Sequence, residues 1–274
     1  MMVLRNLWTG RHTPAMRRAV LAMSMAVTAS PAAAIVRGAP DDGPLKTRTV
    51  MVLAEGGGVC SGIVVAPDAV LTAAHCVTGG NAGGKAGSKA IRVHYRDAAG
   101  QPVLLEPAGV VAHSGYNAGA IKARERSIDL ALIRLAAPLP APFTPAVLAS
   151  SGLPPAGSPI SAFGWGVERE GAQESMGTFR RAGLVTVEPY GPGKILLWAA
   201  DPAGLGKRAG AGVCNGDSGG PIAGADGAVV AVSTWAKGSG NDKCGLYTQG
   251  VLVAPQRAFI DGTLKRWGRA ARWR

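Results

Sequence analysis

Short apolar runs rich in β-branched residues recur along this chain, each bounded by glycine, proline, asparagine or aspartate. Examples lie at 62–65, 70–72, 91–95, 130–135, 160–163, 183–187, 195–198 and 229–235. Runs of this length and composition suit strands. Of the 274 residues, 40 are glycine and 19 are proline. That turn-rich fifth stays below the ~25–30% that marks a low-complexity chain. No heptad, solenoid or collagen period runs through it. The length suffices for a large core and allows one or two domains. An all-β protein is the expectation. One helix is predicted near the end. Pro255 suits a first helical position, and Phe259, Ile260, Leu264 and Trp267 then fall on one face.

The net charge of +12 is unevenly placed. Residues 1–34 carry Arg5, Arg11, Arg17 and Arg18 but no Lys, Asp or Glu. An apolar run follows and ends at Ser30-Pro31-Ala32-Ala33-Ala34. A basic start, a short apolar run and an A-x-A end describe a secretory signal peptide. A membrane span needs ~20 predominantly apolar residues, and this run meets Pro31 too soon. Segment 1–34 is therefore expected to be removed, which leaves 25 basic and 17 acidic residues in a secreted or periplasmic protein. A start at Met16 would give a more compact signal. Residues 138–159 are proline-rich and read as an extended connection between two halves, 35–145 and 146–274. The glycine-rich tract 79–89 reads as an exposed loop.

The four cysteines, Cys60, Cys76, Cys214 and Cys244, suit two disulfides in an exported chain. Three pairings are open. No pair has C-x-x-C spacing, so no metal site is expected among them.

Chemistry concentrates in Cys214-Asn215-Gly216-Asp217-Ser218-Gly219-Gly220-Pro221. A serine becomes a good nucleophile only when a base takes its proton. Glycines around it let backbone N–H groups approach a reacting carbonyl. The string also matches the G-x-S-x-G elbow of α/β-hydrolases, whose histidine follows the serine. Here the histidines are 12, 75, 94 and 113, all upstream, so that order is impossible. His75 follows an apolar strand and precedes Cys76. His94 and His113 lack that context and are read as structural. The acid that orients His75 should be buried beside it. Asp129, at the head of the apolar run 130–135, is the best candidate, because a carboxylate there needs a partner.

His75 in Thr-Ala-Ala-His-Cys, Asp129 in Ile-Asp-Leu-Ala-Leu-Ile and Ser218 in Gly-Asp-Ser-Gly-Gly-Pro, in that order, resemble the motifs of the chymotrypsin/trypsin-like serine proteases. Ile35-Val36-Arg37-Gly38, Cys60-Ser61-Gly62, Phe163-Gly164-Trp165-Gly166 and Thr234-Trp235 match further landmarks. The resemblance implies two antiparallel six-stranded β-barrels with the site in the cleft between them, and a short C-terminal helix. It implies His75 as general base then acid, Asp129 as its orienting partner and Ser218 as nucleophile. It implies an oxyanion hole from the N–H groups of Gly216 and Ser218, and an activating pair between the Ile35 ammonium and Asp217. It also implies the disulfides Cys60–Cys76 and Cys214–Cys244, a protein or peptide substrate, no cofactor and a monomer.

Three departures stand out. The family's additional disulfides are missing, Arg37 replaces a common glycine, and the loop after Cys244 looks shortened. Loop 79–89 has no acidic residue, so no calcium is expected there. The specificity pocket maps to Gly212, Val213, Thr234, Trp235 and Ala236. A basic substrate side chain against Gly212 and Val213 would lack a countercharge, so small or medium apolar side chains are expected before the cut. Asp226 or Asp242 would change that if either entered the pocket.

Two function classes follow: an active secreted endopeptidase, or a catalytically silent relative that binds an anionic partner through its basic surface. The complete triad favours the first. No interleaving of aromatic and basic residues supports nucleic-acid binding. The tail 264–274, with five basic residues and two tryptophans, offers weak association with anionic surfaces. Its alternative is a frayed, solvated end. In either case truncation after Trp267 is expected to leave hydrolysis nearly unchanged.

Overall fold

The apolar runs become antiparallel ladders. The computed structural model describes residues 35–78, 90–123, 125–190 and 194–274. The expected signal 1–34 and loop 79–89 lie outside the described residues. Strand β1 (Ala39–Pro40) leads into β2 (Thr49–Ala54), β3 (Gly58–Ala66), β4 (Ala69–Thr72), β5 (Ile91–Arg96), β6 (Pro102–Leu105), β7 (Pro107–Ala112) and β8 (Ala131–Leu135). β2 to β8 form one sheet in the order β6-β5-β2-β3-β4-β8-β7. Among the described residues no ladder joins its two edges. This half is therefore a half-barrel within the expected all-β architecture. The physical reason lies at the edges. β6 and β7 each begin with a proline, which has no N–H to donate. Leu104 in β6 is also turned out to solvent.

The second half does close. It contains β9 (Val147–Leu148), β10 (Pro159–Gly164), β11 (Arg180–Val187), β12 (Leu196–Ala200), β13 (Pro221–Gly224), β14 (Val229–Lys237), β15 (Tyr247–Leu252) and β16 (Arg272–Trp273). The ring β13-β10-β11-β12-β15-β14 returns to β13, which makes a six-stranded barrel. β11 shows why it closes. Arg180, Ala182, Leu184 and Thr186 point inward and are buried, and alternate residues are more exposed. One apolar cluster joins the halves: Ile63, Leu71 and Leu132 pack with Leu148, Phe163, Val232 and Val251.

The C-terminal helix spans Arg257–Arg266, after a 3-10 turn at Ala254–Gln256 that has proline in its first positions. Ile260 and Leu264 are fully buried, and Phe259 and Trp267 pack against the same core. The tail beyond it is neither frayed nor free. β16 adds in parallel to β9, with Arg272 opposite Val147. Arg269 grips Asp68 through Nε at 2.7 Å and Nη2 at 2.9 Å. Arg274 pairs with Asp226 at 2.9 Å, and Trp273 donates to Asp261 at 2.9 Å. Two of the cations that sequence reading offered to an outside surface therefore face carboxylates of the same chain. Truncation therefore carries a consequence for stability. Removing residues after Trp267, or Arg269→Ala alone, leaves the Asp68 carboxylate, whose side chain is 10% exposed, without its bidentate partner. A melting temperature lower by several degrees is expected, and an unchanged one would contradict this reading of the tail.

Candidate active site

Small residues let His75 come close to the sheet. Ala73 and Ala74 are fully buried after β4, and the short helix Ala74–Thr78 then presents His75. The Cys60–Cys76 disulfide ties this helix to β3, with the sulfurs 2.03 Å apart. β4 pairs with β8 so that Thr72 lies opposite Ala131, which carries Asp129 to His75. The Asp129 carboxylate engages His75 twice. Oδ2 lies 2.7 Å from His75 Nδ1, and Oδ1 accepts the His75 backbone N–H at 2.9 Å. The side chains are 34% and 16% exposed.

Burial works against the imidazolium, but the charge and hydrogen bond of Asp129 outweigh it, so the His75 pKa rises above 6.5. An ionised Asp129 holds the proton on Nδ1 and leaves Nε2 as the acceptor. His75 must be neutral to act as a base. Activity should therefore be lost as pH falls through a value above 6.5. A kcat/KM profile with its acid limb below pH 6 would contradict the pair.

Ser218 sits in a loop of two consecutive turns. The Asp217 N–H donates to Cys214 O at 3.1 Å, and the Gly220 N–H donates to Asp217 O at 2.9 Å. Each turn has a glycine in third place with positive φ, Gly216 at +93° and Gly219 at +85°. A side chain on Gly219 would lie 2.1 Å from both Ser61 O and Thr72 Oγ1, so only glycine fits. Among the described residues, the N–H groups of Gly216 and Ser218 have no intramolecular acceptor. Two adjacent free donors beside a partly exposed serine are unusual and are suited to a developing oxyanion.

Asp217 is fully buried. Its carboxylate accepts the Gly166 N–H and the Cys214 N–H, each at 2.9 Å. Gly164 and Gly166 clear the space, since a Cβ on Gly164 would lie 2.2 Å from Asp217 Oδ1. Burial pushes the Asp217 pKa up to about 7, against the pull of these two N–H groups and of Arg180. Ile35 is fully buried and adopts φ +52°, a conformation that β-branched residues rarely take. Val36 O accepts the Gly212 N–H at 3.1 Å, two residues before Cys214. Cys214 is bonded to Cys244.

Among the described residues, the other two histidines lie outside this cluster. His113 packs edge-on against Phe259 at 4.6 Å and accepts the Gly115 N–H, and His94 lies on β5. Cys60, His75 and Cys76 come close together, but the two sulfurs are bonded to each other and do not form a metal site.

At the expected specificity pocket Gly212 is buried, and the Val213 N–H donates to Thr248 Oγ1 at 3.1 Å. Thr234 is buried, whereas Trp235 and Ala236 are partly exposed. Trp235 packs edge-on with Trp198 at 5.8 Å. Asp226 is paired with Arg274, and Asp242 is exposed.

A family model described as Trypsin matches residues 35–253. The chain belongs to the trypsin family. Brachyurin of Leptuca pugilator is 31% identical over 169 residues, 60% of this chain and 70% of brachyurin. Trypsin Blo t 3 of Blomia tropicalis is 29% identical over 202 residues, 69% and 72% of the two chains. In solved structures the fold recurs in human heparin binding protein (TM-score 0.65, 21% identity, 86% of this chain and 99% of that one). It recurs also in mouse neuropsin, a serine protease (TM-score 0.63, 24% identity, 84% and 99%).

Within this trypsin-family frame, sequence reading missed three residues around the site. Ser61 is fully buried and hydrogen-bonds to the loop of Ser218. Arg180 is buried on β11, opposite Gly164, and its charge acts on Glu168 and Asp217. Asp201 reaches the segment before Gly212, where Oδ2 accepts the Ala211 N–H at 2.7 Å. The sequence signals available were the Cys60-Ser61-Gly62 landmark for Ser61 and the strand register of Arg180.

Proposed function

We propose that the chain, once exported and cut before Ile35, is a serine endopeptidase that works through an acyl-enzyme. The observation that carries this is the pair of acceptor-free N–H groups at Gly216 and Ser218, in a fold that also sets His75 against Asp129. Ser218 Oγ attacks the scissile carbonyl while His75 Nε2 takes its proton. The carbonyl oxygen becomes an oxyanion and accepts from the N–H groups of Gly216 and Ser218. His75 then returns the proton to the leaving amine, and the acyl ester remains on Ser218. Water, deprotonated by His75, releases the acid and restores the serine. Asp129 keeps its hydrogen bond to Nδ1 and stabilises the imidazolium. No cofactor takes part.

Gly212, Val213, Trp235 and Ala236 supply an apolar wall with no fixed charge, which favours small or medium apolar side chains before the cut. The Asp201 carboxylate, whose Oδ2 accepts the N–H of Ala211 next to Gly212, is engaged by backbone N–H groups through both oxygens. The enzyme acts as a monomer outside the cytoplasm.

A second reading, a silent protein that holds an anionic partner, draws on the basic mature chain and on the fold shared with heparin binding protein. The engagement of Arg269 and Arg274 by Asp68 and Asp226 weighs against the tail as its surface. A peptide library incubated with the Ile35-initiated protein and with its Ser218→Ala variant tests both readings. Cleavage after apolar residues by the first protein alone is expected. Cleavage mainly after Arg or Lys would overturn the pocket assignment, and no cleavage would favour the second reading.

A further inference from the structure

An oxyanion hole is two N–H vectors. In a planar trans peptide each N–H points opposite the carbonyl of its own peptide unit. The Gly216 N–H shares a unit with the Asn215 carbonyl, which accepts the Val167 N–H at 2.8 Å. The Ser218 N–H shares a unit with the Asp217 carbonyl, which accepts the Gly220 N–H at 2.9 Å. Between them lies the 216–217 unit. Its N–H is held by Cys214 O, and its carbonyl, Gly216 O, accepts a hydrogen bond from Ser61 Oγ at 2.9 Å. Gly216 has no Cβ and a positive φ, so little else limits rotation about it.

Ser61 comes from β3 in the other half of the fold, and all its polar groups are used. Its Oγ also accepts the Trp165 N–H at 3.1 Å, two residues before Val167. Its backbone N–H donates to Ser218 O at 2.7 Å, and its carbonyl accepts from Thr72 Oγ1 at 2.8 Å. The preceding residue, Cys60, is bonded to Cys76 beside His75. Two adjacent residues of one strand thus hold the base through a disulfide and the nucleophile loop through hydrogen bonds.

We propose that the Ser61 hydroxyl is a positioning residue that sets the oxyanion donors. It does so by pinning the 216–217 peptide to the segment that holds the Asn215 carbonyl. This rests on the reading of Ser218 as nucleophile. Without the hydroxyl the Gly216 carbonyl and the Trp165 N–H lose their shared partner, and the central peptide is held only by its N–H to Cys214 O. The ground-state complex does not use the oxyanion donors fully, so the loss should appear in the transition state.

The test compares Ile35-initiated wild type with Ser61→Ala and Ser61→Gly. Both variants keep the backbone N–H to Ser218 O and lack the hydroxyl. A fall in kcat of about 10- to 100-fold is expected, smaller than the loss of a whole donor. KM should stay within about twofold, and a peptide aldehyde, which forms the oxyanion, should bind more weakly by the same factor as kcat. A product peptide should bind as before. If kcat stays within twofold of wild type, or if Ala and Gly differ as widely from each other as from wild type, the hydroxyl does not position the donors. A wild type inert to substrate and to a fluorophosphonate probe would remove the reading of Ser218, and the proposal with it.

Discussion

Asp129→Asn is expected to lower kcat by on the order of 10⁴-fold, the loss established for this change in chymotrypsin-like triads. The amide keeps the shape of the carboxylate, but its NH₂ can face Nδ1 only if Nδ1 gives up its proton. The proton then moves to Nε2, where the base must accept. The imidazolium formed during attack also loses its counter-ion. The same substitution removes the two influences that raise the His75 pKa, so burial alone acts and the pKa should drop. There is a stability consequence too. A histidine whose folded pKa lies above its unfolded value adds stability that is full below about pH 6.5 and is lost as pH rises through the folded pKa. Wild type should exceed Asp129→Asn most in acid, and the gap should narrow towards pH 8. Thermal melts of both proteins from pH 5 to 8, beside kcat at pH 8, check this. A fall in kcat below tenfold would mean that Asp129 does not orient the base.

Cutting before Ile35 is expected to change both activity and the pH dependence of stability. In a chain that continues before Ile35, Asp217 is buried with a pKa near 7, against 3.8 when unfolded. The folded state therefore binds the extra proton between about pH 4 and 7, and stability falls as pH rises through that window. Three units correspond to about 4 kcal/mol as an order of magnitude. The charged groups around it are Arg180, which favours ionisation, and Glu168, which lies near Arg180. A free ammonium on Ile35 that entered beside Asp217 would pair with the carboxylate and remove most of the fall. The cut also abolishes the φ angle of +52° at Ile35, since that torsion exists only while the amide to Ala34 does. Backbone strain of this kind is worth about 1–3 kcal/mol. The protein that begins at Ile35 should hold its melting temperature from pH 5 to 7. One that keeps Ala33-Ala34 should lose several degrees over that range and hydrolyse peptides at least 100-fold more slowly. Because Ala32-Ala33-Ala34 directly precedes Ile35, a single export cut could yield the active form. N-terminal sequencing of the active exported species checks this. An active species that begins elsewhere would refute the ammonium–Asp217 mechanism.

Much of this was legible in the sequence because the side chains of the candidate site sit in local strings that each do one job. Gly216 and Gly219 are glycines for turn geometry, Ala73 and Ala74 are small for burial, and Asp129 opens an apolar strand where an unpaired carboxylate is costly. The terminal helix was legible from the 3.6-residue spacing of Ile260 and Leu264. What the sequence hid is non-local. Whether β7 meets the far edge of its sheet depends on edge strands with weak apolar pattern, and the prolines opening β6 and β7 hint at the open form only in hindsight. The tail looked like a solvated basic end because its partners, Asp68 and Asp226, lie 201 and 48 residues away. Ser61 looked like one letter of a landmark, and its hydroxyl acquires meaning only when β3 lies under a loop 155 residues downstream.

The central claim is that Ser218 is a nucleophile activated by His75. A fluorophosphonate probe, with the site of attachment read by mass spectrometry, tests it most directly. The Ile35-initiated protein should take up one phosphonyl group, on Ser218, at a rate that falls as pH drops below the His75 pKa. Ser218→Ala should take up none, and His75→Ala should react orders of magnitude more slowly. A folded wild type that stays unlabelled at pH 8, or labelling that persists in Ser218→Ala, would contradict the account.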